Sequence, residues 1–259
     1  MPDPDTPAPR SASTSALHGA LPLEAAGTRL WLRPDGTVWW PEQATLFAAD
    51  LHLGKGAAFR AGGLPLPAGS SAAALDGLDA AARACGAQRV VVLGDFWHHR
   101  SGLSPALHAA VARFARAWPT TVVLGNHDRP LPPALAEDLP LTVVAGPLTL
   151  GPLQAVHEPR LNSPSGSAAP VPAGFRLAGH LHPAVQLGSR AGDRLRRPCF
   201  VWTDGELVLP ALGRLSGHWT LRPDEFAALG AQVALIAEDR VLALPGLAPP
   251  QAGWAPACS

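Results

Sequence analysis

The stretch VVLGNHDRP, from Val122 to Pro130, decides how this sequence of 259 residues is interpreted. It begins as an apolar run, typical of a buried strand, and then turns into Gly125, Asn126, His127 and Asp128. One such turn is common in loops. It becomes informative when several strands end in the same way, because in open α/β sheets ligands bind where the strands end at their carboxyl edge.

Four further apolar runs in this chain end in carboxylate or imidazole side chains. These residues are Asp50 and His52 after LFAA, Asp95 after VVVLG, His157 after LQAV, and His180 and His182 after RLAG. Side chains at positions i and i+2 of an extended segment point the same way. The two side chains of the Asp50/His52 pair can therefore face one site, and so can those of the His180/His182 pair. The glycines that precede Asp95, Asn126 and His180 fit backbone bends at strand ends.

Together with Asn126, these side chains supply oxygen and imidazole donors and no thiolate, a mixture that suits Mn²⁺, Fe or Zn²⁺. Seven donors are too many for one tetrahedral ion. They suit two ions about 3.5–4 Å apart that share a bridging carboxylate. A single core histidine is more often structural than a ligand, but that explanation would have to hold for five histidines in these motifs. We therefore predict a metal site.

The ordered set D-x-H, G-D, G-N-H-D, a later single His and G-H-x-H resembles the calcineurin-like metallophosphoesterases. The resemblance covers about Thr45 to Pro183, and the strand pattern extends it on both sides. It implies an α/β fold in the form of a four-layer α/β/β/α sandwich, and a phosphoesterase that uses two divalent metal ions to activate water for attack on phosphorus.

The same resemblance implies a role for each donor. One metal would be held by Asp50, His52 and His182, the other by Asn126, His157 and His180, with Asp95 bridging the two. His127 would have no metal and would lie beside the scissile phosphate, where it would act as a general acid or stabilise charge.

Three other positions near the motifs have roles that the sequence leaves open. Asp128 either caps a helix or orients His127 by a hydrogen bond, and we favour orientation and group it with the catalytic residues. Lys55, the only lysine, is either a solvated loop residue or a contact to a substrate phosphate. The family's usual second acid after G-D is replaced here by a segment with His98 and His99, to which the pattern assigns no role.

A narrower resemblance is carried by the strings ADLHLGK, VHEP, GHLHP and RPCFV. They are similar to the bacterial ligase-associated DNA-damage-response endonucleases of this superfamily. This implies a DNA endonuclease with Mn²⁺ as its best activator, and with a DNA ligase or a helicase or exonuclease of the same repair system as a candidate partner. The alternatives are a phosphoesterase acting on a cyclic nucleotide, nucleotide or phosphoprotein, and a non-catalytic interaction scaffold.

Composition sets the remaining expectations. The net charge of zero gives no reason in itself to expect a polyanion or membrane partner, and three widely spaced cysteines argue against disulfides or a thiolate zinc site. No apolar run approaches the roughly 20 residues of a membrane span, and the N-terminus lacks the pattern of a signal peptide, so we expect a cytoplasmic protein. We predict a disordered segment 1–18, one metallophosphoesterase domain 19–245 and a tail 246–259.

Within that domain the first half is predicted to alternate strands and helices, and the second half to be mostly strands. A helix should begin with Ser70 or Ser71 as its cap, and another with Ser104 as cap and Pro105 at its first position. The segment Gly56 to Pro67 is expected to be a loop. These elements favour two packed sheets flanked by helices.

Overall fold

The computed structural model describes residues 17–129, 138–161, 174–188, 193–213, 215, 217 and 219–244. Two sheets and four helices occupy these ranges. The predicted disordered segment and tail lie outside the described residues, apart from the first ordered turn at Leu17. A helix that the sequence predicts around residues 132–138 lies almost wholly outside them as well.

The first sheet contains seven strands whose spatial order follows the chain. They are β1 (Leu21–Ala25), β2 (Thr28–Leu32), β3 (Val38–Trp40), β4 (Thr45–Ala48), β5 (Arg89–Val92), β6 (Thr120–Val123) and β7 (Leu141–Val144). Neighbours from β1 to β4 are antiparallel, and those from β4 to β7 are parallel. The parallel half brings four carboxyl ends to the same edge, and those of β4, β5 and β6 are followed by predicted donors.

The second sheet is formed by the later strands and is mixed. These are β8 (Leu148–Leu150), β9 (Leu153–Ala155), β10 (Phe175–Ala178), β11 (Pro183–Gly188), β12 (Arg194–Trp202), β13 (Glu206–Val208), β14 (Trp219–Leu221), β15 (Gln232–Ala237) and β16 (Arg240–Ala243). Their order is β14-β11-β12-β13-β10-β9-β8, and β15 adds to β12 and pairs with β16. Strand β10 is parallel to both β9 and β13.

The helices are α1 (Lys55–Ala61), α2 (Ser70–Cys85), α3 (Pro105–Ala117) and the short α4 (Pro223–Ala228). Two 3-10 turns accompany them, at Pro41–Gln43 and Arg100–Gly102. Helix α3 begins as predicted, because the hydroxyl of Ser104 accepts a hydrogen bond from the amide of Leu107. Helix α2 does not: its cap is Gly69 at φ 97°, and the prediction of a serine cap is wrong.

Alternation along the strands divides the core into layers. On β4, Leu46 and Ala48 pack beneath α2 and α3, whereas Phe47 faces the second sheet together with Ala49. On the far side of the second sheet a third cluster is closed by Phe226 of α4. The predicted α/β/β/α sandwich is confirmed, with a thin outer layer of one short helix over the second sheet in the described part of the chain.

Several local elements differ from the sequence expectation. Helix α1 replaces the first half of the loop expected at Gly56 to Pro67, and β1, β8, β14 and α4 were not predicted. The sequence also predicts a terminal hairpin formed by Val233 to Ile236 and Arg240 to Leu244, and the antiparallel pairing of β15 with β16 confirms it. None of the helices in the described ranges has both the length and the apolar content needed to cross a bilayer.

Candidate active site

The predicted donors come together where the strand ends of the two sheets meet. The segment after β4 runs beside the segment after β5, with the amide of Asp50 donating to the carbonyl of Gly94 (3.1 Å) and the amide of His52 donating to that of Asp95 (2.8 Å). The second sheet is joined to them because the amide of His180 donates to Oδ2 of Asp50 at 2.8 Å. The fold therefore brings the predicted donors of both sheets to one edge.

Most of these donors lie on unusual backbone. A positive φ is uncommon for residues other than glycine and persists only where surrounding contacts hold it. Among the described residues eight non-glycine positions have a positive φ, and five of them are predicted ligands: Asp50, His52, Asp95, His180 and His182. Strained backbone is thus concentrated at this edge of the sheets, as expected of a functional site.

Two glycines allow the donors to approach the backbone. Gly94 has φ 84°, and a Cβ added there would overlap the ring of His157. A Cβ on Gly125 would overlap the carboxylate of Asp95. Larger residues at either position would displace a donor, so these two glycines contribute to the geometry of the site.

The donors form two groups with Asp95 in both. In the first group, Asp50, His52, Asp95 and His182 each offer a ligand atom, all within 4.8 Å of one another. Nε2 of His182 lies 3.2 Å from Nε2 of His52 and 3.3 Å from Oδ1 of Asp50. At these distances one ion could lie between the ring nitrogens and the carboxylate oxygen.

In the second group, Asp95, His157 and His180 converge in the same way, and Asn126 joins them. Oδ1 of Asn126 lies 2.9 Å from Nε2 of His157 and 3.1 Å from Nδ1 of His180. The Asp95 carboxylate faces both groups, with Oδ1 3.5 Å from Nε2 of His157 and Oδ2 3.8 Å from Nε2 of His52.

Hydrogen bonds on the outer side of the rings show that a cation fits here. Nδ1 of His157 lies 2.9 Å from the carbonyl of Leu93, so it carries the proton and leaves a lone pair on Nε2 that faces the amide oxygen of Asn126. Nδ1 of His182 faces the carbonyl of Gly217 in the same way. Metal-binding histidines typically donate their other N–H to such acceptors.

An unsatisfied carboxylate oxygen points to the same conclusion. Oδ1 of Asp50 is buried and has no hydrogen-bond partner among the described residues. Buried polar atoms almost always have a partner, and a cation between Oδ1 and the lone pair of His182 would supply it. Carboxylate, amide and imidazole donors are suited to a divalent transition metal.

Burial keeps one of the predicted ligands in the neutral form that a metal requires. It lowers the pKa of His52 to about 2, with help from the neighbouring His182, so the ring is neutral at physiological pH. Burial also acts to lower the pKa of His182, but the contacts with Asp50 outweigh it and the pKa of His182 is raised. Metal binding would release that proton, since a ligating imidazole must be neutral.

His127 lies beside the donors, as predicted, with its backbone amide donating to Oδ1 of Asp95 at 2.9 Å. Its ring Nδ1 is 3.2 Å from the carbonyl of His98, which leaves Nε2 as the nitrogen available to a substrate. The ring of His98 stacks on that of His127, with centroids 4.8 Å apart and 29° between planes. His127 is therefore held in orientation by His98.

The contacts of Asp128 differ from the predicted ones. Oδ1 accepts from the amide of Trp97 at 2.8 Å, and Oδ2 accepts from the amides of Gly125 (2.9 Å) and Phe96 (3.3 Å). Burial raises the pKa of Asp128 to about 6, although the three amides favour its ionised form. The expectation that Asp128 orients the ring of His127 is wrong, because its carboxylate is engaged by backbone amides and joins the loops after β5 and β6.

The sequence left His98 without a role, and the structure places it at the site. His52, His98 and His127 form a third set of rings whose ligand atoms converge, and Nδ1 of His98 is buried without a partner among the described residues. Burial, with Lys55 as the next contribution, lowers the pKa of His98 to about 4. Its position three residues after Asp95 was the available signal in the sequence.

Lys55 is the first residue of α1 and is half-buried rather than a solvated loop residue. Burial lowers the pKa of Lys55, while the carboxylates of Asp95 and Asp50 act in the opposite direction. Lys55 lines a small cavity together with Leu51 and His52. His99 lies farther out, where its ring accepts from the amide of Ser101. Of the two histidines after Asp95, only His98 joins the donors.

Comparison with known proteins identifies the group to which this arrangement belongs. A crystal structure of the nuclease MPE from Pseudomonas putida matches 87% of this chain and 100% of its own, with 31% sequence identity and a TM-score of 0.67. The phosphoesterase YfcE from E. coli matches 75% of this chain and 88% of its own, with 18% identity and a TM-score of 0.37.

The likeness to YfcE is too distant to bear on function. No protein-family model and no curated protein matches the sequence. The likeness to nuclease MPE extends over that protein's whole length. With the donors at the strand ends, it shows that the chain belongs to the metallophosphoesterases and is a metal-dependent phosphoester hydrolase.

Proposed function

We propose that this protein is a two-metal phosphodiesterase that cuts DNA. The observation that carries the proposal is the position of Asp95, which belongs to both donor groups and turns one carboxylate oxygen toward each. A shared carboxylate between two sets of imidazole and oxygen donors is the arrangement expected of a pair of ions about 3.5–4 Å apart.

The first ion would be held by Asp50, His52, Asp95 and His182, and the second by Asp95, Asn126, His157 and His180. When bound, the two cations would supply a water nucleophile at neutral pH and would offset the negative charge of the phosphate. The chain's own contribution is to fix the donors. It does so through the carbonyls of Leu93 and Gly217, which orient two of the rings.

His127 is proposed to act on the leaving group. Its amide is tied to Asp95 and its Nδ1 faces a carbonyl, so a second proton would be carried at Nε2, on the side open to substrate. From there it can pass to the oxygen that leaves phosphorus. His98 stacks on the ring and keeps it in that orientation. Asp128 contributes indirectly, by holding the loop that carries His127.

Lys55 is proposed to contact a substrate phosphate. It is the only lysine in the chain, begins α1 and lines a small cavity together with His52. An ammonium group placed there adds positive charge beside the reacting phosphate, which strengthens binding in a half-buried site more than it would in water.

DNA is proposed as the substrate and Mn²⁺ as the preferred ion. The similarity to a bacterial nuclease over its full length supports the substrate, and the donor set without thiolate supports the metal. We further propose that the protein acts in the cytoplasm in a DNA-damage response, with a DNA ligase or a helicase or exonuclease of that system as partner. The flanking strings ADLHLGK and GHLHP support this assignment.

A substrate and metal panel tests the proposal. Bis-p-nitrophenyl phosphate, p-nitrophenyl phosphate, cyclic nucleotides, and single- and double-stranded DNA are each incubated with Mn²⁺, Mg²⁺ or Zn²⁺. We expect hydrolysis of the diester and nicking of DNA, best with Mn²⁺, and loss of both in Asp95→Ala.

Other outcomes would assign the protein differently. Fast turnover of a monoester or a cyclic nucleotide with intact DNA would make it a small-molecule enzyme of the same family. No hydrolysis of any ester by the metal-loaded protein would favour the scaffold.

A further inference from the structure

The hairpin formed by β11 and β12 extends beyond the strand ends that carry the metal donors. Strand β12 is antiparallel both to β13 and to β11, and β13 is parallel to β10, so β11 runs in the same direction as β10. Strand β11 begins at Pro183, directly after His182, and continues to Gly188. The hairpin therefore projects past the donors from the edge of the second sheet.

The two faces of this hairpin are set by its register. Val185 pairs with Arg197, and Val185 and Cys199 belong to the cluster beneath α4. The opposite face carries Gln186 paired with Arg196, and farther down the same strand it carries Phe200, which packs between the two sheets. Arg196 thus lies on the face that turns toward the first sheet and the site edge.

Arg194 lies on the same face two residues farther out, paired with Gly188. At about 3.3 Å per residue, Arg196 is roughly 13 Å beyond His182 and Arg194 roughly 20 Å beyond it. Both side chains are exposed, and within the described ranges neither has an ion pair. Several other surface arginines, such as Arg83 and Arg222, are paired with a carboxylate.

We propose that this face of the hairpin is a binding surface for the sugar-phosphate backbone of a polynucleotide strand, on one side of the scissile phosphate. The inference rests on the proposed function, since it describes how that substrate reaches the same site. A protein with zero net charge needs local positive charge to hold a polyanion, and these two guanidinium groups provide it in line with the donors.

Arginine suits this task because its planar group donates two parallel hydrogen bonds to a phosphate. The spacing of roughly 7 Å between Arg194 and Arg196 along the strand means that each engages a different phosphate. Such contacts carry no base information, so the surface binds without sequence preference. A small diester reaches the donors without touching the hairpin.

Binding and turnover of matched variants test this surface. The double variant R194A/R196A is compared with R113A/R116A, which removes two exposed arginines from α3, and with R197A on the opposite face of the hairpin. Affinity for a fluorescein-labelled single-stranded oligonucleotide is measured by anisotropy over a series of salt concentrations, and rates are measured on DNA and on bis-p-nitrophenyl phosphate.

We expect R194A/R196A to weaken oligonucleotide binding roughly tenfold at about 0.1 M salt and to reduce the slope of log K against log salt by about 1.4, since each phosphate contact on a single strand contributes about 0.7. The ratio of the DNA rate to the bis-p-nitrophenyl phosphate rate should fall by a similar factor. R113A/R116A and R197A should bind the oligonucleotide as the unmodified protein does.

The inference is overturned if R194A/R196A binds with unchanged affinity and salt slope, if R113A/R116A weakens binding equally, or if the unmodified protein does not bind the oligonucleotide. The proposed catalytic site is judged separately by the hydrolysis of bis-p-nitrophenyl phosphate. Loss of that activity with retained, arginine-dependent binding would reject the catalytic proposal and leave the binding surface standing.

Discussion

The two donor groups share Asp95 but differ in how deeply they lie. Asp50 and His52 of the first group are buried, at 0% and 4% exposure, and His182 closes it from the edge. Of the donors that belong to the second group alone, His157 is similarly buried, while Asn126 is exposed and His180 is partly exposed. The first group is thus part of the core where the sheets meet, and the second faces solvent.

This difference suggests a division of labour within the proposed two-metal site. An ion surrounded by buried donors is shielded from water and should exchange slowly. An ion held by donors at the surface has open positions for water and a phosphate, and should be bound more weakly.

Replacement of Asp95 should have the largest effect, because the same side chain serves both groups. We expect Asp95→Asn and Asp95→Ala to lower the amount of bound metal and to reduce the rate of diester hydrolysis at least about 100-fold. The loss should exceed the roughly 10–100-fold that is typical of a residue that only hydrogen-bonds to a metal ligand. Elemental analysis of the purified variants, together with turnover, provides the measurement. Full metal content with normal activity would contradict the two-metal assignment.

His127→Ala should slow catalysis while leaving the metal content intact. General acid catalysis contributes about 10²–10⁴-fold, and the loss should be smaller on p-nitrophenyl esters, whose leaving group needs little protonation. Rates on DNA and on bis-p-nitrophenyl phosphate are compared with metal content. Equal losses on the two substrates would indicate charge stabilisation, and loss of metal would make His127 a ligand in the third set of rings with His52 and His98.

The pair His180→Ala and His182→Ala compares the two groups directly, since both variants remove one imidazole from the same G-H-x-H segment. We expect His180→Ala to lose the more exposed ion and to retain the other through gel filtration. His182→Ala should lower the affinity for the buried ion by about 10–100-fold or more, because loss of a residue that only hydrogen-bonds to a metal ligand already costs this much. Equal retention of metal by both variants would remove the contrast between the groups.

Asp128→Ala should act mainly on stability. The change leaves the buried amides of Gly125, Phe96 and Trp97 without their acceptor, and a buried unsatisfied group costs about 1–3 kcal/mol. We expect a loss of a few kcal/mol in the free energy of unfolding, measured by urea denaturation. An unchanged urea midpoint combined with a large loss of turnover would restore the catalytic role that the sequence suggested.

The sequence predicted which polar side chains the structure brings together, because their pattern is local: an apolar run followed by a polar residue identifies a strand end. What it missed depends on distant contacts. Helix α1 is preceded by Gly54, which caps it in a left-handed conformation without a side-chain hydrogen bond, so no local signal marked its start. The hydrogen bonds of Asp128 join residues 31 and 32 positions apart, which periodicity cannot reveal.

The role of His98 was hidden for a similar reason. It reaches the site because Leu53 and Trp97 form an isolated bridge and the amide of His98 donates to the carbonyl of Leu53, which brings the segments after β4 and β5 together. Both contacts depend on two loops whose pairing follows from the fold. The strand ends could be predicted from the sequence, but the path of the loops that follow them could not.

Electron paramagnetic resonance of the Mn²⁺-loaded protein tests directly whether Asp95 joins two metal ions. If Asp95 joins two ions about 3.5–4 Å apart, titration should reach two Mn²⁺ per chain and give an exchange-coupled spectrum that appears in step with diester hydrolysis. Asp95→Asn should abolish the coupling. Saturation at one Mn²⁺ per chain, with an uncoupled spectrum and full activity, would contradict the account.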